Sequence, residues 1–399
     1  MSPGAGRDRY LDLLRAAAII RVIVYHLYGW PWLPMLLPAM GIMFALAGSL
    51  TAASLERRGV VKVVRSRLRR LLPPLWLMGL VAVPLMIVGG WPAETGGEHP
   101  FSLPSLLFWI VPLGDPPGSE AAADVWVPLW YIRAYLWFVL LSPLLLMLWR
   151  RVGWATLGLP FLVLAGLGLS EVTLPAVVDA TVWDFATFGA CWIAGFAHHD
   201  GRLARVEPWI AYTVAPILAA AALWRGHDAG SWDLNEVPEM QALWSFAFVL
   251  IVLRWRPRMD WLARTVPLDR AVTVVNARAV TIYLWHNAAI AAIWPVLAFL
   301  GIEWGGLPGA LVELLLTFVL VLMTMLAFGW AEDLAARRPV RLWPDTAVPA
   351  ARDFSPAQVG HLSSGGATGR RAVSEVRTSM KEEDHDDHRP GLRGPPGTR

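Results

Sequence analysis

The stretch RDRYLDLLRAAAIIRVIVYHLYGW, residues 7–30, begins with two arginines and continues as a long apolar run. Arginines before an apolar run are also typical of a secretory signal peptide. Here, however, Arg15, Arg21 and His26 interrupt the run, whereas the central region of a signal peptide is uniformly apolar. We therefore predict that this segment is retained as the first membrane-spanning helix.

The composition of the whole chain agrees with that interpretation. Of the 399 residues, 56% are hydrophobic and only 16% are charged, whereas a soluble globular protein carries about 25% charged residues. The 23 tryptophans and 31 prolines also fit a membrane protein, because bilayer interfaces are enriched in Trp and transmembrane helices tolerate Pro. The composition excludes a soluble enzyme, a disordered scaffold and a disulfide-rich secreted module, and it predicts an integral membrane protein.

A helix that crosses a bilayer needs about 20 mainly apolar residues, and the sequence contains about ten such segments. They are residues 11–28, 35–53, 72–90, 128–149, 154–170, 181–197, 208–224, 241–253, 279–300 and 311–330. A shorter apolar piece, residues 102–113, is predicted to be re-entrant or interfacial. The predicted fold class is therefore an all-α integral membrane protein, a bundle of about ten transmembrane helices.

The positive charges are concentrated in alternate loops. Residues 57–70 and 254–270 are rich in arginine, whereas residues 94–124 and 171–179 contain no Lys or Arg. Because positively charged loops stay on the cytoplasmic side, both termini are predicted to be cytoplasmic and the protein to cross the plasma membrane of the cell several times. The same asymmetry accounts for the net charge of +3, so no nucleic-acid partner is predicted.

The composition changes near Pro344, and the remaining chain is rich in Ser, Gly, Pro and charged residues. Such a segment has too little apolar surface to fold. We predict a transmembrane domain over residues 1–342 and a disordered cytoplasmic tail over residues 343–399. The acidic and histidine-rich run in the tail is interpreted as solvated charge rather than a metal site. The single cysteine, Cys191, is interpreted as a small core residue rather than a nucleophile.

Two ionisable residues of the first predicted helix lie on one face. Arg15 and His26 are eleven residues apart, which is about three helical turns and about 16 Å along the axis. Charged groups inside membrane spans are costly, so each is a functional candidate. Arg15 alone could extend to the lipid headgroups, and His26 alone could form an interhelical hydrogen bond. Their shared face favours a joint function.

A second basic cluster occurs in RSRLRRLLPPLW, residues 65–76. Arg67 and Arg70 are three residues apart, so they are neighbours on one helix face. Two guanidiniums in that arrangement can bind phosphate oxygens with paired hydrogen bonds. The alternative is a basic stripe that binds lipid headgroups.

Two further polar residues lie in later spans. Arg133, in LWYIRAYLWF, needs an acidic partner or substrate oxygens, because an unpaired charge in hydrocarbon is costly. Asp184 and Glu313 are the candidate partners. His286, in TIYLWHN, could relay a proton, bind a substrate or form a hydrogen bond in the core.

These motifs together resemble the acyltransferase-3 family, membrane enzymes that O-acylate sugars, polysaccharides and some antibiotics. The shared stretches, in the family's order, are RDRYLDLLRAAAIIRVIVYH, GIMFALAGSLTAASL, RSRLRRLLPPLW, PLWYIRAYL and RAVTIYLWHN. The family's motif of a basic residue ten positions before a histidine maps onto Arg15 and His26, and its R-x-x-R motif maps onto Arg67 and Arg70. The serine of the second helix is displaced to Ser49, so no role is assigned to it.

The resemblance implies an acyl-CoA-dependent O-acyltransferase that moves an acyl group, usually acetyl, to a hydroxyl of a carbohydrate, glycan or glycosylated metabolite. His26 is expected to be the general base and Arg15 to orient the donor or stabilise charge near the thioester. A covalent acyl intermediate on His26 is the other possibility. We expect Arg67 and Arg70 to hold the CoA phosphates.

Arg133 and His286 are the candidates for binding the acceptor. Acyl-CoA, the acceptor and membrane lipids are the expected partners, with no metal and no permanently bound cofactor. The alternative functions are a secondary transporter or lipid-linked sugar flippase, and a non-catalytic membrane scaffold.

Overall fold

The computed structural model describes residues 8–94, 100–169, 173–255, 257–302 and 305–344, and within these ranges the chain is helical without β-strands. The predicted tail therefore lies, apart from its first two residues, outside the described residues. The α-helices are α1 (Arg9–Tyr28), α2 (Trp32–Leu36), α3 (Ala39–Arg58), α4 (Val60–Val88), α5 (Leu107–Ile110), α6 (Ala123–Trp126), α7 (Trp130–Val152), α8 (Gly158–Leu169), α9 (Ala176–His199), α10 (Arg202–Arg205), α11 (Pro208–Ala229), α12 (Pro238–Arg254), α13 (Asp260–Arg264), α14 (Val266–Ala277), α15 (Ala279–Ala291), α16 (Ile293–Leu300), α17 (Gly306–Phe328) and α18 (Trp330–Ala335).

The predicted all-α architecture is confirmed for the described residues, and several of their helices are apolar enough to cross a membrane. Five helical segments of the described chain are long and apolar enough to cross a membrane, and α15 with α16, bent by 44°, forms a possible sixth. Each predicted segment coincides with one or two helices, but several of these helices are short or, like α1, carry several charges. Ten spans and cytoplasmic termini stay predictions. The interfacial piece contains only short helical turns, among them α5.

The centre of the core is the contact between α3 and α9, where glycines bring two backbones together. A Cβ atom on Gly48 would lie 2.2 Å from the carbonyl oxygen of Trp192, and one on Gly195 would lie 2.1 Å from that of Ala45. Membrane helices commonly pack through such small residues, because lipid offers no hydrophobic driving force and close van der Waals contact replaces it. Cys191 is fully buried on α9.

Helix α1 carries two of the predicted site residues and packs against α3, α14 and α15. Its first turn is fixed by Asp8, whose carboxylate accepts hydrogen bonds from two backbone N–H groups, and by ion pairs from Arg9 to Asp12 and Asp269. Its last turn ends at Gly29, which has a φ of +63°, a conformation that favours glycine. The two ends therefore set the rotation of the helix and the direction of its polar face.

A buried polar cluster joins the start of α15 to α18. Arg278, 1% exposed, donates hydrogen bonds to the carbonyl oxygen of Gly329 at 2.7 Å and to Asp333 at 2.8 Å. The neighbouring carboxylate of Glu332 accepts a hydrogen bond from the backbone N–H of Thr281. Burial raises the pKa of Glu332 above its ordinary value, and the hydrogen bonds from Thr281 oppose that shift. The cluster fixes the end of α15 that leads to His286.

Candidate active site

Two of the predicted site residues, His26 and His286, meet in the structure. His26 lies in the last turn of α1 and His286 in the middle of α15. Their ring centroids are 5.2 Å apart in an edge-to-face arrangement. His286 is 1% exposed, whereas His26 is exposed. The pair therefore has one buried member and one accessible member.

The hydrogen bonding of His286 assigns its tautomer. Its Nδ1 lies 2.6 Å from the carbonyl oxygen of Tyr283, and because a carbonyl only accepts, Nδ1 carries the proton. Nε2 is then an acceptor, and among the described residues it has no hydrogen-bond partner. A buried acceptor without a partner is costly, and such atoms are uncommon in native structures. The lone pair of Nε2 is thus available on a ring whose centroid lies 5.2 Å from that of His26.

A narrow apolar cavity of about 10 Å³ lies beside His286, between α1, α3, α7 and α15. Ile19 and Ile23, four and eight residues after Arg15, line it from α1, which places it on the face that joins Arg15 to His26. The other lining residues are Val22, Met40, Met43, Tyr131, Ile282, Tyr283 and His286. A cavity of this size holds about one water molecule, so we call it the seam rather than a channel.

The basic residues of the two predicted motifs lie near one another, and Arg15 is within electrostatic range of Tyr131, which lines the seam. Arg15 is partly exposed and lies within electrostatic range of Asp12, Tyr131 and Arg67. Arg67 in turn lies near Arg70. Within the described part of the chain, neither Arg67 nor Arg70 forms an ion pair with a carboxylate. Unpaired guanidiniums held this close repel one another, and an anion that binds between them relieves that repulsion.

The structure shows how the buried charge of Arg133 is compensated. Its Nη1 lies 2.8 Å from Oδ2 of Asp184 and its Nε lies 2.7 Å from Oδ1 of Asp115. Of the two predicted partners, Asp184 is the one in contact, and Glu313 forms no ion pair with it. Asp115 escaped prediction because it lies in an irregular loop with no periodic pattern. A substrate that bound here would therefore contact a guanidinium that is already paired with two carboxylates.

The segment that contains α6 contacts α15 near His286. The side-chain N–H of Asn287 donates to the backbone carbonyl of Asp124 at 2.8 Å, and the hydroxyl of Tyr283 donates to that of Pro128. These bonds hold Asp124 within electrostatic range of His26. The absence of Lys and Arg from residues 94–124 was the only signal that pointed to this segment.

One group of side chains in the described part of the chain has the spacing of a metal site, namely Glu56, His199 and Asp200. Its ligand atoms are already in use. Glu56 is bound by Arg150 and by Nε2 of His199 at 2.8 Å, and Asp200 accepts a hydrogen bond from Trp149 at 2.8 Å. These contacts satisfy one another without a cation, so the group gives no support to a metal site.

A family model described as an acyltransferase domain matches residues 8–331. No curated protein and no solved structure matches the chain. The matched range contains both histidines, the basic residues beside the seam and the ion pairs of Arg133.

Proposed function

Because the chain belongs to the acyltransferase-3 family, we propose that this membrane acyltransferase takes an acyl group, usually acetyl, from acyl-CoA on the cytoplasmic side. The acceptor is a hydroxyl of a carbohydrate, glycan or glycosylated metabolite. One observation carries the proposal: a single face of α1 leads from Arg15, beside Arg67, along the seam to the pair of His26 and His286. The basic residues at one end suit the phosphates of acyl-CoA, and the histidines at the other end suit its thioester.

The donor is held from the basic end. Arg67 and Arg70 bind the phosphates of CoA with planar guanidinium groups, and the acyl-bearing arm extends along the seam. Since the seam has room for about one water molecule, its walls must separate to admit the arm. Met40 and Met43 line the seam, and methionine side chains are flexible enough to repack.

The distance between Arg15 and His26 assigns them different tasks. About 16 Å separates them along α1, so they cannot act on the same carbonyl group. Arg15 orients the donor near its phosphates, and His26 acts at the thioester. This separation supports the first of the two roles predicted for Arg15, orientation of the donor.

The chemistry at His26 converts a thioester into an ester. The acceptor hydroxyl gives its proton to His26 while its oxygen attacks the thioester carbonyl carbon. The tetrahedral intermediate then collapses, the carbon–sulfur bond breaks, and CoA leaves as a thiol with the proton from His26. The exposed side of His26, beside Asp124, gives the acceptor access from the outer face, whereas the acyl group arrives from the seam.

The experiment uses the full-length protein in lipid nanodiscs with labelled acetyl-CoA. His26→Ala should abolish acyl transfer and also the slower hydrolysis of acetyl-CoA by water, since removal of a general base lowers the rate about 10²–10⁴-fold. Arg67→Lys should raise the KM for acetyl-CoA and leave kcat nearly unchanged, because the bidentate grip on phosphate is lost. Arg57→Lys, an exposed arginine at the end of α3, is the matched control. Full activity of His26→Ala would refute the proposal.

One observation favours the transporter alternative. The 44° break between α15 and α16 resembles the interrupted helices that carry substrate sites in secondary transporters. A transporter would neither bind acetyl-CoA nor release CoA from it. The same nanodisc preparation therefore distinguishes the two functions before any acceptor is known.

A further inference from the structure

The first part of α4 extends beyond the hydrocarbon of a bilayer. The helix has 29 residues and is about 43 Å long, whereas the hydrocarbon core is about 30 Å thick. Pro73, Pro74 and the apolar residues that follow supply about the length of one crossing. Residues 60–70 therefore lie at the membrane boundary, among the lipid headgroups on the side predicted to be cytoplasmic.

This boundary segment has two functionally different faces. Arg67 and Arg70 lie on the face that leads to Arg15, as described above. The other face, together with Arg337 from the end of α18, lines an open groove of about 580 Å³. Its lining residues, the valine–arginine groove, are Val60, Val61, Val64, Arg65, Leu68, Arg69 and Arg337. At about 100° per residue, the middle of this face is roughly opposite Arg70.

The groove combines uncompensated positive charge with an apolar wall. In the described chain none of its three arginines forms an ion pair, in contrast to Arg150 and Arg338, which do. The Nε atom of Arg69 is buried and has no hydrogen-bond partner among the described residues. Val61 is 79% exposed. A guanidinium cluster favours a bound anion, and the exposed valine surface beside it favours an apolar neighbour.

The backbone of Arg337 adds an independent observation. It has a φ of +56° and is, within the described chain, the only residue other than glycine with a positive φ. This position follows the last turn of α18, where glycine is favoured because a Cβ atom is strained in the left-handed region. An arginine at a position that suits glycine points to a use for its side chain.

We propose that the valine–arginine groove binds an anionic phospholipid. The phosphate is held by Arg65, Arg69 and Arg337, and an acyl chain descends past Leu68 into the hydrocarbon, while the valines contact the headgroup region. A lipid suits the groove better than the CoA donor does, because the middle of the groove is roughly opposite Arg70 on α4 and its lining includes Leu68, which lies toward the hydrocarbon. The lipid would tie the boundary segment of α4 to the end of α18.

The test is a lipid titration of the purified full-length protein in detergent, followed by native mass spectrometry. Dioleoylphosphatidylglycerol should occupy one saturable site, and dioleoylphosphatidylcholine should bind it more weakly. Arg65→Gln and Arg69→Gln should each weaken binding of the anionic lipid by about fivefold, the contribution expected for one guanidinium at an anionic membrane surface. Arg264→Gln, which removes an exposed arginine outside the groove, should have no effect.

Arg337→Gly is the variant that separates binding from folding. Glycine relieves the left-handed strain, so the thermal stability without added lipid should be equal to or higher than that of the wild type, while lipid affinity falls. Equal affinity for the two lipids, or unchanged affinity in all three groove variants, would overturn the proposal. Displacement of the lipid by acetyl-CoA would assign the groove to the donor, and displacement by inorganic phosphate at similar concentration would reduce it to an anion site. His26→Ala should bind the lipid normally, so this result is independent of the proposed catalysis.

Discussion

Replacement of His286 by glutamine and by asparagine separates the roles of its two ring nitrogens. Nδ1 is bound to the carbonyl of Tyr283 at 2.6 Å, and the unpartnered Nε2 lies on the other edge of a ring whose centroid is 5.2 Å from that of His26. A glutamine amide can place its oxygen near the position of Nε2, whereas an asparagine amide reaches only the position of Nδ1. We predict that His286→Gln retains most of the turnover and that His286→Asn loses it.

The magnitude follows from the charge that His26 acquires during the reaction. When His26 holds the proton of the acceptor, a hydrogen bond from its N–H to Nε2 of His286 is a bond to a charged group. Such a bond contributes about 1.5–3 kcal/mol, which corresponds to about a 10- to 150-fold change in kcat. The loss in His286→Asn should therefore be no larger than that in His26→Ala, which removes the base itself.

The assay measures the release of CoA thiol from acetyl-CoA by the full-length protein in nanodiscs. The KM for acetyl-CoA should not change, because His286 lies beside His26, about 16 Å along α1 from Arg15, and Arg67 is near Arg15. His227→Asn, an exposed histidine on α11, is the matched control, and the thermal stability of each variant is measured in parallel. Equal losses in the glutamine and asparagine variants at unchanged stability would refute the assignment to Nε2, and so would full activity of both.

Three further predictions concern the seam, the core and the cluster at α18. Ile23→Trp should fill the seam and reduce kcat for acyl transfer at least tenfold, while the affinity for CoA stays unchanged. Ile20→Trp, which replaces a residue of α1 that is 41% exposed, should keep wild-type activity. Gly195→Ala should force apart α3 and α9 and cost about 1–3 kcal/mol or more, seen as a lower melting temperature. Gly166→Ala, with open space around its Cβ position, should leave that temperature unchanged or raise it. Because burial raises the pKa of Glu332, wild-type stability should fall as pH rises between the unfolded and folded pKa values, whereas Glu332→Gln should lack this dependence. If the melting temperature of the wild type rises with pH across that range and that of Glu332→Gln does not, the predicted direction of the pH dependence is wrong.

The local properties of the chain were readable from the sequence. Apolar runs predicted the helical segments, because a helix in lipid must be apolar along its length. The eleven-residue spacing put Arg15 and His26 on one face of α1, because helical periodicity is a local property. The motifs at Arg67 and His286 were also visible locally, and the family match over residues 8–331 confirms the family that they indicated.

The number of membrane spans could not be predicted from the sequence in the same way. The charged residues of α1 made it a candidate for the site. Because of the same charges, α1 is not among the helices that are apolar enough to qualify as membrane spans. A helix with this many polar groups is stable in a membrane only where other helices cover its polar face. Its position therefore depends on packing against α3, α14 and α15.

Only the tertiary structure decided which of the polar residues meet. It placed His286 against His26, paired Arg133 with Asp115 as well as Asp184, and brought Arg65 and Arg69 of α4 into one groove with Arg337. None of these contacts follows from spacing along the chain, because each joins helices or loops whose relative rotation is set by close packing elsewhere, above all by the glycines between α3 and α9. Helical periodicity fixes the face of a residue on its own helix, and helix packing determines what that face contacts.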